Sequence, residues 1–326
     1  MHMGSLVVAV LGAPGYGNSL GKKSTVTDIT LYDLKRNEDV VTFIEPTRYP
    51  ERLASLFYAT SIAKRAIVVV DELNSTLGEC MVMIQCSEIT AGYIILRNYI
   101  PQEKLEPLIK GTVLEKFKFI KDDPVALREH LLDEASKQDS AIPSSGIQSS
   151  GTVAVDHCFN VKGAGTVVLG VVMNGTIEKH EEMNVLPGKK AAQIRSIQKH
   201  DDEFNQAVEG DRVGLALKNV EVKDLDRGTV LTNSPTIKST ASLKAHALLV
   251  KYWLTPIKSG MVLHIGHWMQ FIPSRVESVD DKDGDWRRPI LTLALEKELI
   301  HFPGDRAVIT YLDGGKLRIV GTVELP

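Results

Sequence analysis

Helical periodicity runs through roughly the first 137 residues and then almost vanishes, a change that limits the fold more than any motif does. Short apolar runs at 6–11 (LVVAVL), 40–44 (VVTFI), 67–70 (IVVV), 93–96 (YIIL) and 116–120 (KFKFI) alternate with helix-spaced stretches at 49–64, 76–90, 102–110 and 124–137. Runs of that length and composition suit strands buried on both faces. Their alternation with helices predicts an α/β doubly wound domain of nucleotide-binding type, built on a parallel sheet. Residues 136–152 then turn to Ser, Gly and Gln with one Pro, the composition of a linker. Beyond it the runs are short, β-branched and spaced by Gly, Asn and Asp, which predicts two all-β barrel domains. The expected boundaries are 1–140, a linker at 141–152, then 153–240 and 241–326.

Charge and cysteine content narrow the function classes. A net charge of −3 excludes a chain held to nucleic acid by bulk charge, while local basic patches stay open. Cys80, Cys86 and Cys158 are odd in number and show no Cys-x-x-Cys pair or zinc spacing, so reduced thiols in a cytoplasmic chain are expected. No apolar run approaches a membrane span and no secretory leader is visible. The acidic stretch at 280–285 fails as a calcium loop. With Gly284 at the sixth position the first and twelfth ligands would be Val279 and Ile290, so Asp283-Gly284 is expected to be a hairpin turn, as is Asp313-Gly314-Gly315. No Ser/His/Asp arrangement, metal spacing or placed carboxylate pair points to catalysis of another kind.

A phosphate loop needs Gly-x4-Gly-Lys-Ser/Thr after a first strand: amides cradle the phosphates, Lys reaches the β/γ oxygens, and the hydroxyl holds Mg²⁺. After residues 6–11 the chain reads Gly12-Ala13-Pro14-Gly15-Tyr16-Gly17-Asn18-Ser19. Position, both glycines and Ser19 fit; Asn18 stands where the lysine belongs. Shifting the register to Lys22 fails at two positions, since Tyr16 then replaces the first Gly and Lys23 the Ser/Thr. The following Leu20-Gly21-Lys22-Lys23-Ser24-Thr25-Val26-Thr27 barely fits a crossover helix. A Gly-rich turn with no ligand and a degenerate nucleotide loop are both open readings.

Four motifs beyond the linker carry a resemblance. They are Asp156-His157-Cys158-Phe159 running on to Gly163-Ala164-Gly165-Thr166, then Gln193-Ile194-Arg195-Ser196-Ile197-Gln198, then Gly210-Asp211-Arg212-Val213-Gly214, and Asp226-Arg227-Gly228. In that order they resemble the second domain of translation elongation factors of the Tu class, nearest the selenocysteine-specific branch and its archaeal SelB-like relatives, the pyrrolysine-linked factor included. Gly304-Asp305-Arg306 and a turn at His264-Ile265-Gly266 are similar to the third domain. The resemblance implies GTP with Mg²⁺ as cofactors, and tRNA or aminoacyl-tRNA and the ribosome as partners, with neither DNA nor membrane.

It also implies roles. Gly12, Gly17, Asn18 and Ser19 fall on the phosphate loop, Thr30 on the switch Mg²⁺ ligand, and Glu45 on the acidic residue opening the next switch. Asp156, His157 and Arg195 fall on the aminoacyl pocket, where charge-assisted hydrogen bonds would grip a polar group. The first domain departs in chemistry. Arg48 and Tyr49 stand at the γ-phosphate sensor and the water-orienting histidine, and Arg97-Asn98-Tyr99-Ile100 replaces the guanine reader. Phosphoryl transfer depends on positioned charge, so GTP hydrolysis is expected to be absent or very slow, with no catalytic residue and no metal site assigned. An active GTP-binding factor using Lys22 or Lys23, and a non-translational binding scaffold, are the alternatives.

Overall fold

The computed structural model describes residues 4–137, 150–281 and 284–326, and the architecture below is that of these residues. Residues 141–149 of the expected linker, and Asp283 of one expected turn, lie outside them.

The first domain follows the predicted alternation closely. Strand β1 (Ser5–Leu11) leads through a single-turn helix α1 (Gly17–Leu20) to β2 (Lys22–Val26), β3 (Thr30–Arg36) and β4 (Asp39–Glu45). Then come α2 (Leu53–Ser61), β5 (Arg65–Val70), α3 (Ser75–Cys86), β6 (Gly92–Leu96), α4 (Gln102–Ile109), β7 (Lys118–Ile120) and α5 (Pro124–Lys137). The sheet order is β2-β3-β4-β1-β5-β6-β7. Strands β4, β1, β5, β6 and β7 are parallel, as expected, but β2 and β3 run antiparallel and extend one edge. Neither is among the expected strands; β2 (KKSTV) has no apolar alternation and is exposed along most of its length.

Alternation along β1 fixes the two cores. Leu6, Val8 and Val10 face Leu127, Leu131 and Ala135 of α5, whereas Val7, Ala9 and Leu11 face Leu56 and Phe57 of α2 and Met83 of α3. Helix α2 begins four residues later than its periodicity suggested, after the Pro46–Pro50 segment. Helix α3 is started by Asn74, whose side chain accepts from the Leu77 amide at 2.9 Å.

The second domain is a barrel formed by β8 (Thr152–Val161), β9 (Gly165–Asn174), β11 (Glu182–Leu186), β12 (Lys190–Lys199), β15 (Arg212–Lys218) and β16 (Val230–Thr232). It runs β11-β16-β8-β9-β15-β12 and closes by β11–β12 pairing. Strands β10 (Thr176–Glu178), β13 (Asp202–Phe204) and β14 (Gln206–Val208) form short ribbons on its rim. The third domain is a closed barrel, β17-β20-β19-β18-β21-β22, of β17 (Lys238–Leu249), β18 (Val262–His267), β19 (Gln270–Asp280), β20 (Ile290–His301), β21 (Arg306–Thr310) and β22 (Ile319–Glu324). Both barrels match the expected class. His264-Ile265-Gly266 is not a turn: it lies inside β18, and the reversal comes at Trp268–Met269. Gly266 is needed for packing, since a Cβ there would sit 2.5 Å from the Phe57 ring of α2.

Candidate functional site

The loop after β1 is glycine-rich, with Gly12 and Gly15 at positive φ, and several of its polar groups bond within the chain. Gly12 takes φ +97°, and a Cβ there would meet the Val69 carbonyl at 2.0 Å. Gly17 lies against Tyr32, whose ring would be 2.3 Å from an added Cβ. Both glycines therefore have a packing reason that needs no ligand. The Gly15 amide donates to Glu45 Oε1 at 2.6 Å, and the Tyr32 hydroxyl donates to Glu45 Oε2 at 2.9 Å. A buried carboxylate of the chain itself thus sits on a loop amide. Burial first, then the hydrogen bond to Glu45, push the Tyr32 phenol above its ordinary range and keep it a donor.

The groups that would hold Mg²⁺ are engaged likewise. Ser19 Oγ donates to the Tyr16 carbonyl at 2.7 Å, a local bond that uses the hydroxyl inside its own turn. Asn18 Nδ2 donates to the Gly15 carbonyl at 3.1 Å. Thr30, almost fully buried, shares a 2.5 Å hydrogen bond with the Thr47 hydroxyl. As arranged, these side chains do not fit a metal ion. Among the described residues no group of three or more His, Cys, Asp or Glu could hold one.

Where a guanine reader would follow β6, a cleft of about 630 Å³ lies among Asp71, Leu96, Arg97, Asn98, Tyr99 and Asp122, and charged side chains on its wall pair with one another. Asp122 accepts from Arg97 Nε at 2.7 Å and from the Tyr16 hydroxyl at 2.9 Å, while the Arg97 guanidinium lies 5.0 Å from the Tyr16 ring centroid. Tyr49, at the position where the resemblance implies a water-orienting histidine, is bonded within the chain. Its hydroxyl reaches Glu79 Oε2 at 3.0 Å, and Glu79 accepts from Arg318 of the third domain through Nη2 at 2.6 Å, Nε at 3.2 Å and the backbone amide at 2.8 Å. Burial, chiefly, raises the Tyr49 phenol. The residue is a strut between domains.

In the second domain the three expected pocket residues divide. Asp156 is buried and paired with Arg212, and its Oδ1 lies 2.5 Å from His157 Nδ1. Burial alone would raise this carboxyl; the Arg212 guanidinium and the His157 hydrogen bond outweigh it and hold the group well below the usual carboxylate range. His157 Nε2 then meets Thr27 Oγ1 of the first domain at 3.3 Å. Arg195 is not gathered with them. It is exposed on β12, and its Nη1 points to the carbonyls of Gly163 and Ala164 at 3.4 and 3.5 Å.

Sequence reasoning quoted Arg227 within a motif and missed its work. It donates to Asp28 Oδ1 at 2.6 Å, to Thr27 Oγ1 at 3.1 Å and to the Asp156 carbonyl at 3.2 Å, and stacks 4.7 Å from the Tyr58 ring centroid. The short Thr27–Asp28 loop is thereby clamped on the second domain beside Asp156 and His157. Nothing in one sequence announces such a clamp, because its partners are 199 residues apart. Cys80 and Cys86 are buried in the first-domain core, and burial pushes both thiols up to about 12, which makes them inert.

Comparison with known proteins agrees with this architecture. The family description "Elongation factor Tu domain 2" matches residues 165–232. An uncharacterized protein of Methanocaldococcus jannaschii, MJ0325, is 33% identical over 99% of this chain and 100% of its own length. The selenocysteine-specific elongation factor of the same organism is 25% identical, covering 93% of this chain and 71% of that factor. The crystal structure of elongation factor SelB from Methanococcus maripaludis in complex with the GTP analogue GPPNHP superposes with a TM-score of 0.81 at 20% identity, covering 100% of this chain and 79% of that one. The chain belongs to the elongation factor Tu class, on its SelB-like branch.

Proposed function

We propose that this chain is a SelB-like elongation factor homologue that binds tRNA or aminoacyl-tRNA and the ribosome in the cytoplasm without hydrolysing GTP. The observation that carries the reading is the Glu45 carboxylate on the Gly15 amide and the Tyr32 hydroxyl. A phosphate entering the loop must displace that buried anion, and no loop lysine offers compensating charge, because Asn18 holds its place. The three-domain frame is kept while the chemistry that would power a switch is absent: Tyr49, at the water-orienting position, is tied to Glu79 and Arg318.

The test is a gel shift of a tRNA transcript by nucleotide-free protein across a salt series. Binding that strengthens as salt falls, equal with and without GTP, supports the reading; absence of binding at low salt sinks it. A second reading, GTP binding with Lys22 or Lys23 supplying charge, is favoured by one observation: both lysines line the same cleft as Asn18 and Ser19. A GTP-dependent gel shift would select it.

A further inference from the structure

Where the first strand of such a sheet usually feeds a long crossover helix, this chain makes one turn, Gly17–Leu20, and enters the edge strand β2. The truncation leaves a cleft of about 620 Å³ between β2, β3, α5 and the β12–β13 turn of the second domain. Four cations line it: Lys22 and Lys23 from β2, Lys35 from β3 and Arg128 from α5. Lys22 and Lys23 are exposed. Lys35 is spoken for by Asp202 at 2.5 Å, and Lys23 lies 5.8 Å from the Tyr32 ring centroid. Among the described residues, Lys22, Lys23 and Arg128 have no carboxylate partner. Two carboxylates also line the cleft: Asp33, which accepts from the Thr42 hydroxyl at 3.1 Å, and Asp201, which faces solvent. His200 closes the second-domain side, in a left-handed turn with Asp201.

In a chain of net charge −3, three cations without a carboxylate partner among the described residues, all lining one polar cleft at a domain junction, are a local site for an anion. We propose that this cleft binds the sugar–phosphate backbone of RNA, with Lys22, Lys23 and Arg128 each contacting a phosphate. The inference rests on the RNA-binding reading above and adds to it a place and three residues. The contacts are with backbone, so the cleft positions RNA without reading its sequence.

The experiment is filter binding of an unmodified tRNA transcript to the full chain between 50 and 200 mM salt. It compares wild type, Lys22→Ala/Lys23→Ala/Arg128→Ala, and a control Lys104→Ala/Lys110→Ala/Lys297→Ala on other faces. Three phosphate contacts at about 0.7 each lower the slope of log affinity against log salt by about 2, and affinity at 50 mM salt falls on the order of tenfold or more. The control leaves both unchanged. Lys22→Glu/Lys23→Glu, confined to the exposed edge strand, gives a larger loss and guards against a folding defect from Arg128. If wild type binds and the cleft variants bind equally with the same slope, the cleft proposal is wrong and the RNA-binding reading stands. If the control loses as much, the effect is diffuse charge and the proposal is again wrong. Displacement of RNA from wild type by micromolar inorganic pyrophosphate or ATP would make the cleft a small-phosphate site instead. No wild-type binding at 50 mM overturns both readings.

Discussion

The first-domain loop and the second-domain motif strip both resemble working parts of a translation factor, but they kept different things. In the loop the glycines survive while the lysine is gone, and the remaining side chains bond to one another. In the second domain the charged residues survive, yet the most telling one, Asp156, turns inward to Arg212. The contrast teaches that a motif can persist for packing reasons in either direction. Gly12 and Gly17 answer to Val69 and Tyr32, and Asp156 answers to a buried guanidinium. Of the two, the second domain has the greater stability at stake.

The largest expected effect tests that ranking. Asp156→Ala strands Arg212 as a buried, unpaired charge, and should destabilise the chain by about 3–5 kcal/mol in chemical denaturation. A loss under about 1 kcal/mol would mean the pair is not buried as described. Acid should reveal the same pair. Because the Asp156 carboxyl is depressed in the fold, its contribution is complete above the unfolded carboxylate range near about 4, and is lost as pH falls towards the folded value. The stability gap between wild type and Asp156→Asn should therefore hold from neutrality down to about pH 4 and shrink below it. A gap that grows with acid would contradict the assignment.

Smaller effects are expected in the loop. Glu45→Ala removes the acceptor of a buried phenol and should cost about 1–3 kcal/mol. Combined with Asn18→Lys it should also admit GTP, visible as calorimetric heat that Asn18→Lys alone does not give. Binding by the single variant would mean that Glu45 is no obstacle. Smallest of all, Ser19→Ala should change stability by less than about 0.5 kcal/mol, because the hydroxyl is exposed and bonds only to its own turn. A loss above about 1 kcal/mol in Ser19→Ala would mean that the hydroxyl does more than bond to its own turn.

Much of the fold was legible because buried parallel strands and helices have distinct periods, and because the barrels bury alternate residues along β-branched strands. What escaped was polar or non-local. Strand β2 carries KKSTV, a pattern of an exposed edge rather than of a core, and its existence follows only from pairing with β3. The turn at 264–266 was misplaced because Gly266 signals a bend in sequence, whereas here it makes room for Phe57. For the site, the sequence exposed what is missing, the lysine at position 18 and the guanine reader after β6. It could not show what had moved in. Glu45 on Gly15, Arg97 and Tyr16 on Asp122, and Arg227 on Asp28 are contacts between residues 25 to 199 positions apart, set by the fold. Arg195 shows the converse, since its motif was legible but its side chain lies against Gly163 and Ala164.

In the proposed function the loop after β1 closes on its own carboxylate, Glu45, and does not serve as a nucleotide switch. The most direct test is calorimetric titration of nucleotide-stripped wild-type protein with GTP and with GDP in Mg²⁺. No binding heat and no thermal shift are expected with either. Micromolar binding of GTP would contradict it, and would return Lys22 and Lys23 to the role of phosphate ligands.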